Sequence, residues 1–248
     1  MEQKEKIKTD RLLIMNKTLL IIVDKKLPSR AKQTLGNYGN LMELETKNIT
    51  YDAISGHPDI FFFQDKHQTI VAPNLPEKYF EILNRYGIKY RKGIKPVGRD
   101  YPHSSRYNAL QTSYGLLHNT HFTETSLQEN ATKRIHCRQG YTRCNAIEIG
   151  STVLTSDKGI MKTLENHSIP AIYTDPQNII LPGFKNGFFG GTCGIHNKQL
   201  FVCGQLNHLE NTTQIEKLFI KEEIENIELY DGKLFDAGGI FFMNTQSY

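Results

Sequence analysis

The stretch Pro58-Asp59-Ile60-Phe61-Phe62-Phe63-Gln64-Asp65 reads as an apolar strand with a carboxylate close to each end. Short apolar runs bounded by turn residues behave as buried strands. An Asp at either end then marks where a packed core opens to solvent or to a cavity. Weaker copies of the phrase recur at Tyr107-Asn108-Ala109, Cys144-Asn145-Ala146, Cys193-Gly194-Ile195 and Gly238-Gly239-Ile240. Five inner strands in one register therefore organise the chain.

Between the inner strands lies a second repeating phrase, strand–helix–strand. Its first copy is an apolar strand over residues 18–24, a helix over 28–38 and a strand over 40–45. Pro28 sits at that helix's start, where its missing N–H costs nothing. The pattern returns with a strand over 69–72 and a helix over 76–86 carrying Phe80, Leu83 and Tyr86 on one side. Gly87 stops that helix, and a strand follows over 88–91. Later copies run through 152–155, 157–166 and 171–173, and through 200–203, 212–223 and 225–230. The helix of the unit at 107–140 is the weakest, between Thr123 and Ala131. The period is measurable, since 48 residues separate Val23 from Val71 and also Leu154 from Val202. Repetition at that spacing signals a propeller, solenoid or array.

With five inner strands and four complete following phrases, the N-terminal strand has to pair with residues 239–243. That pairing would close a ring and remove sheet edges. A doubly wound sheet built from ordinary α/β alternation would not pair residues 18–24 with 239–243. The expectation is a single domain over residues 1–248, with 1–11 as a loose extension.

Composition narrows the function classes. Thirty basic and 26 acidic residues leave a net charge of +4, too mild to imply nucleic acid. The apolar run over 19–23 is far too short to span a bilayer. Residues 1–11 carry charges of both signs and no signal-peptide pattern. Four cysteines, at 137, 144, 193 and 203, form no C-x-x-C pair. They read as free thiols, which places the chain in the cytoplasm. Cys137, Cys144 and Cys193 with His136 or His196 lack metal-ligand spacing. No metal and no cofactor is expected.

Five ββαβ-like units closed by the N-terminal strand resemble the guanidine-modifying enzyme superfamily, the penteins. That superfamily includes dimethylarginine dimethylaminohydrolase, the arginine and agmatine deiminases and the amidinotransferases. The chain looks nearest to an uncharacterised bacterial branch of it that lacks the usual catalytic Cys. The resemblance implies a five-bladed α/β propeller around a central channel. Asp59-Ile-Phe-Phe-Phe-Gln64-Asp65 is similar to the first-blade motif of the dimethylarginine hydrolases, in which the first and last Asp face the substrate. Carried over, Asp59 and Asp65 would hold a planar cation by parallel hydrogen bonds. Gln64 stands where that motif has Glu.

The chain departs from the family where the chemistry sits. Phe241 or Phe242 occupies the place of the nucleophilic Cys, and no His falls in register on the segment 140–145. Without thiolate and proton shuttle the usual route is unavailable. If the protein hydrolyses a C–N bond, the candidate machinery is a relocated Cys193 with His57 or His196 as base. The glycines before Cys193 offer backbone amides that can polarise an amidine; they can equally allow close strand packing. Asn108 and Asn145 share the register of Asp59 and would orient a ligand in a polar pocket, with Cys144 nearby. Arg143 would hold a ligand carboxylate, and Asp236 sets the turn before Gly238 while facing the same pocket. The expected partner is a small guanidino or amino-acid-like molecule. The alternative is a catalytically inactive pentein acting as a binding or assembly module.

Overall fold

The computed structural model describes residues 19–129 and 131–245. Thr18 and the expected extension 1–11 lie outside the described residues. Strand β1 (Leu19–Asp24) is buried along its whole length. Helix α1 (Ser29–Leu35) carries the chain back, so that β2 (Asn40–Leu44) lies parallel to β1. A parallel neighbour needs such a crossover, because a tight turn can only reverse direction.

The same construction recurs four times. After a short helix α2 (Pro58–Phe61) come β3 (Phe62–Gln64) and β4 (Thr69–Val71), antiparallel; α3 (Glu77–Arg85) then returns the chain to β5 (Arg91–Lys92), parallel to β4. Next are β6 (Leu110–Thr112), β7 (Gly115–His118), the short α4 (Thr125–Gln128) and β8 (Arg134–His136). The following unit comprises α5 (Thr142–Asn145), β9 (Ala146–Ile149), β10 (Thr152–Thr155), α6 (Lys158–Asn166) and β11 (Ala171–Tyr173). Asp157 caps α6 by accepting from Ile160 N at 2.7 Å, one of the backbone donors that a helix start leaves free. Then come β12 (Cys193–His196), β13 (Gln199–Val202), α7 (Thr212–Glu222) and β14 (Glu225–Glu228). Strand β15 (Phe241–Asn244) runs antiparallel to β1, with Leu19 opposite Asn244 and Ile22 opposite Phe241.

The described residues thus form five three-stranded sheets, one of which unites β15, β1 and β2. The pairing of the first strand with residues near 241 is the one expected from the repeat. The expected loss of sheet edges is not found. Among the described residues no strand pairs with a strand of another sheet, and no sheet closes. The inner strands have three or four residues, too few to build a continuous ladder. Neighbouring units meet through side chains and close backbone approaches instead.

The opening stretch also needs correction. Residues 58–61 are a turn of α-helix rather than the first half of a strand. Pro58 occupies the first helical turn, where its fixed φ favours helix, and Phe62 N closes the turn on Pro58 O. Periodicity cannot separate helix from strand in an apolar run this short. Equivalent turns precede other inner strands, as α5 before β9 and as a 3-10 turn over Gly190–Thr192 before β12. Asp59 and Cys144 therefore sit on helical turns feeding the inner strands. Phe61, Phe62 and Phe63 are buried and join one apolar cluster with residues of β1, β2 and α3.

Candidate functional site

Strand β1 ends in Asp24, which is buried. Its Oδ1 accepts from Lys26 N at 2.6 Å, while Oδ2 has no hydrogen-bond partner. Burial pushes its carboxyl up to about 6. His57, just before α2, is buried between two carboxylates. Its Nε2 lies 3.9 Å from Asp24 Oδ2, and its Nδ1 lies 3.9 Å from Asp236 Oδ1. Both distances exceed a hydrogen bond, and Nδ1 is unpartnered. Burial pushes the imidazole down to about 3, so His57 is neutral at physiological pH.

Asp236 is fixed by two backbone donors, Gly238 N at 3.0 Å to Oδ1 and Phe188 N at 2.8 Å to Oδ2. Burial nevertheless raises it to about 7. Two glycines make this packing possible. A Cβ at Gly191 would collide with the Asp236 carboxylate, and one at Gly238, where φ is +69°, would collide with His57.

Asp59, in the first turn of α2, is wholly inaccessible to solvent. Its Oδ2 accepts from Cys144 Sγ at 2.7 Å, and its Oδ1 has no partner. Burial raises Asp59 to about 8 and pushes the Cys144 thiol well above its ordinary value. Asn108 ties the two together. Its Nδ2 donates to Asp59 O and to Cys144 Sγ, both at 3.2 Å, and its Oδ1 accepts from Cys144 N at 3.0 Å. One donor atom each from His57, Asp59 and Cys144 lies within 4.8 Å of the others.

The structure therefore brings together His57, Asp59, Asn108, Cys144 and Asp236 from the expected set. The others bond elsewhere, although the charge of Arg143 acts on Asp59 and Asp236. Arg143 donates to Gly190 O at 2.7 Å and Cys193 O at 3.0 Å, and its guanidinium lies over the Phe241 ring. Asn145 donates back to Tyr141 O at 2.8 Å. Cys193 is buried, its thiol 3.5 Å from Phe189 O and pushed up to about 11 by desolvation. His196 stacks on Phe242, with its Nε2 3.0 Å from Asn197 Nδ2. Gln64 donates to Phe242 O at 2.9 Å. Asp65 accepts from His67 N and Gln68 N at 2.7 and 2.8 Å, which closes its own turn.

Two cavities flank these groups. One of about 320 Å³ is lined by Asp24, Lys26, Asp52, His57, Phe235 and Asp236, among others. A wider groove of about 870 Å³ is bordered by Gln64, Asp65, Arg91, His196 and Phe242. Asp24 and Asp52 were not among the residues expected from sequence. Asp24 carried a usable signal, since it ends an apolar run as Asp65 ends the run of phenylalanines.

The sequence matches the model of a group described as Family of unknown function (DUF6873) over residues 22–241. The chain belongs to the DUF6873 family. No curated protein matches this DUF6873 sequence. Among solved structures its fold is similar to C. jejuni agmatine deiminase, with a TM-score of 0.50 at 11% identity, over 92% of this chain and 81% of that one. A cysteine-to-serine variant of the same enzyme with substrate bound gives a TM-score of 0.52 at 9% identity, over 99% and 88% of the two chains. At such identity the likeness speaks for a pentein-like α/β fold and not for an activity. No helix among the described residues of this DUF6873 protein is long and apolar enough to cross a membrane.

Proposed function

We propose that this chain is a pentein-type five-bladed α/β propeller, one domain, that binds a small guanidinium or amidinium cation in the cavity of Asp24, Asp52, Asp236 and His57. The observation that carries this reading is the set of carboxylates lining one cavity, of which Asp24 and Asp236 form no ion pair with a Lys or Arg among the described residues. Within 4 Å the only titratable base facing Asp24 and Asp236 among the described residues is His57, and Lys26, Lys32 and Arg143 act on them through their charge at longer range. Lys26, also in the lining, directs its ammonium to Asp52 O and Ser55 Oγ. Buried carboxylates gain most from a planar cation that can form two parallel hydrogen bonds. The fold likeness to agmatine deiminase, a protein named for a guanidino compound, supports the same ligand class.

Binding is favoured over hydrolysis because burial holds the thiols of Cys193 and Cys144 protonated, and the thiolate is the nucleophile. Since burial also raises Asp24 and Asp236, an entering cation displaces protons and binds more tightly as pH rises.

The test is thermal melting in EDTA against agmatine, arginine, guanidinium, acetamidine and neutral amino acids. A ligand at a hundred times its Kd contributes about 2.7 kcal/mol, which raises Tm by roughly 5–10 °C for a chain of this size. The expected result is a shift by the cationic compounds that Asp236→Asn abolishes. No shift by any compound at millimolar concentration overturns the reading and favours a binding or assembly module.

A further inference from the structure

We infer that His57, Asp59 and Cys144 form a binding site for a divalent ion of the zinc class. The three offer an imidazole nitrogen, a carboxylate oxygen and a sulfur, all buried and within 4.8 Å of one another. This mixed donor set suits zinc and cobalt far better than magnesium or calcium, which take oxygen. Two of the side chains carry buried atoms that bond to nothing, His57 Nδ1 and Asp59 Oδ1. Buried polar atoms are ordinarily paired, so two orphans in one buried cluster with a thiol call for a ligand.

The backbone already holds the donors in place. His57 and Asp59 flank the start of α2, and Cys144 lies on the equivalent turn α5. A group that touches metal ligands from outside usually sets their orientation, and Asn108 is such a group. Asn108 grips both the Asp59 carbonyl and the Cys144 sulfur. Asp24 Oδ2 stands 3.9 Å from His57 Nε2. The cavity of about 320 Å³ reaches His57 and gives the ion a route in.

Charge and proton balance agree. Cys144 loses its thiol proton and Asp59 its carboxyl proton, both to solvent. Thiolate and carboxylate then match the two positive charges of the ion, so the loaded site is neutral and suits its apolar surroundings. Two ligands of one tetrahedral ion sit roughly 3.6 Å apart, so the 2.7 Å contact between Cys144 and Asp59 widens on loading. Three protein ligands leave one coordination position for water or a small molecule.

Cobalt(II) titration of chelator-stripped protein tests the site. One equivalent is expected to bind and to give the near-ultraviolet absorption of a thiolate bonded to cobalt. Cys144→Ser should abolish that band, and Cys193→Ser should leave it intact. His57→Gln should weaken cobalt affinity at least tenfold, and it serves as the second variant where Cys144→Ser does not fold. No stoichiometric cobalt, or a band that survives Cys144→Ser or is lost with Cys193→Ser, overturns the inference. Because the guanidinium panel is run in EDTA, either proposal can fail while the other stands.

Discussion

Two regions of this molecule are built from the same repeat and treat their polar groups in opposite ways. At Asp24, His57 and Asp59, buried atoms are left without partners. Around Gln64, Arg143 and the phenylalanines of β3 and β15, each polar side chain is bonded to backbone. The small cavity between them, of about 100 Å³, is walled largely by Phe62, Phe63, Phe241 and Phe242. A satisfied polar group stabilises structure, whereas an orphaned one is a standing cost that only a ligand offsets. The difference directs attention to the acidic region and away from the place where the resemblance would put a nucleophile.

The largest effect that would break this contrast is in the apolar region. Phe62 is almost wholly buried and packs on Phe241 with ring centroids 6.4 Å apart. Phe62→Ala should destabilise by about 3–5 kcal/mol in urea unfolding. A loss below about 1 kcal/mol would mean that the aromatic wall is not structural.

The acidic region should respond in the opposite sense. In EDTA, Asp24, Asp236 and Asp59 hold their protons to about 6, 7 and 8 in the folded chain. Each is a raised carboxyl, so the folded state binds more protons than the unfolded one above the ordinary value of 3.8. Its stability therefore falls as pH rises towards the folded value. His57, held down to about 3 against 6.5, costs stability only below about pH 6.5. Above about pH 7.5, where His57 and His118 are neutral in both states, the raised carboxyls should make Tm fall as pH rises to about 8.5. Asp59→Asn should flatten the fall and stabilise the metal-free protein at the upper end by on the order of 1–2 kcal/mol. A Tm that rises with pH in both proteins would show that the carboxyls are not desolvated.

The smallest effect sharpens the comparison at Asp65. Asp65→Asn weakens a turn on two backbone donors and should cost about 0.5–1 kcal/mol, with guanidinium shifts unchanged. Loss of those shifts would place the ligand at Asp65, as the family motif implies.

Much of the fold was legible because the repeat is written in apolar strands and amphipathic helices. The segment 152–155 is strand as expected, and helices α3, α6 and α7 lie within the expected spans. The four-residue helical turns were not legible. Three successive phenylalanines satisfy either periodicity, and only Pro58 hinted at helix. Counting register placed Asn108 and Asn145 beside Asp59; the structure has Asn108 there, with Cys144 in place of Asn145. Asp24 was hidden because the groups that share its cavity, His57 just before α2 and Asp236 before β15, lie far away in sequence. Partnership is the property that separates Arg143, bonded to carbonyls, from His57, whose Nδ1 bonds to nothing, and a sequence does not display it.

The pairing of β1 with β15 joins residues more than two hundred positions apart. During translation β1 emerges well before β15 and can lie parallel to β2 soon afterwards. Its other edge, with the apolar side chains of Leu20 to Val23, must wait until residues 241–244 have left the ribosome. An unpaired apolar edge invites pairing with another nascent chain, and contacts this distant in sequence form slowly. Chaperone dependence during synthesis, and sensitivity of the yield to any lesion in Phe241–Asn244, follow from that one long-range ladder.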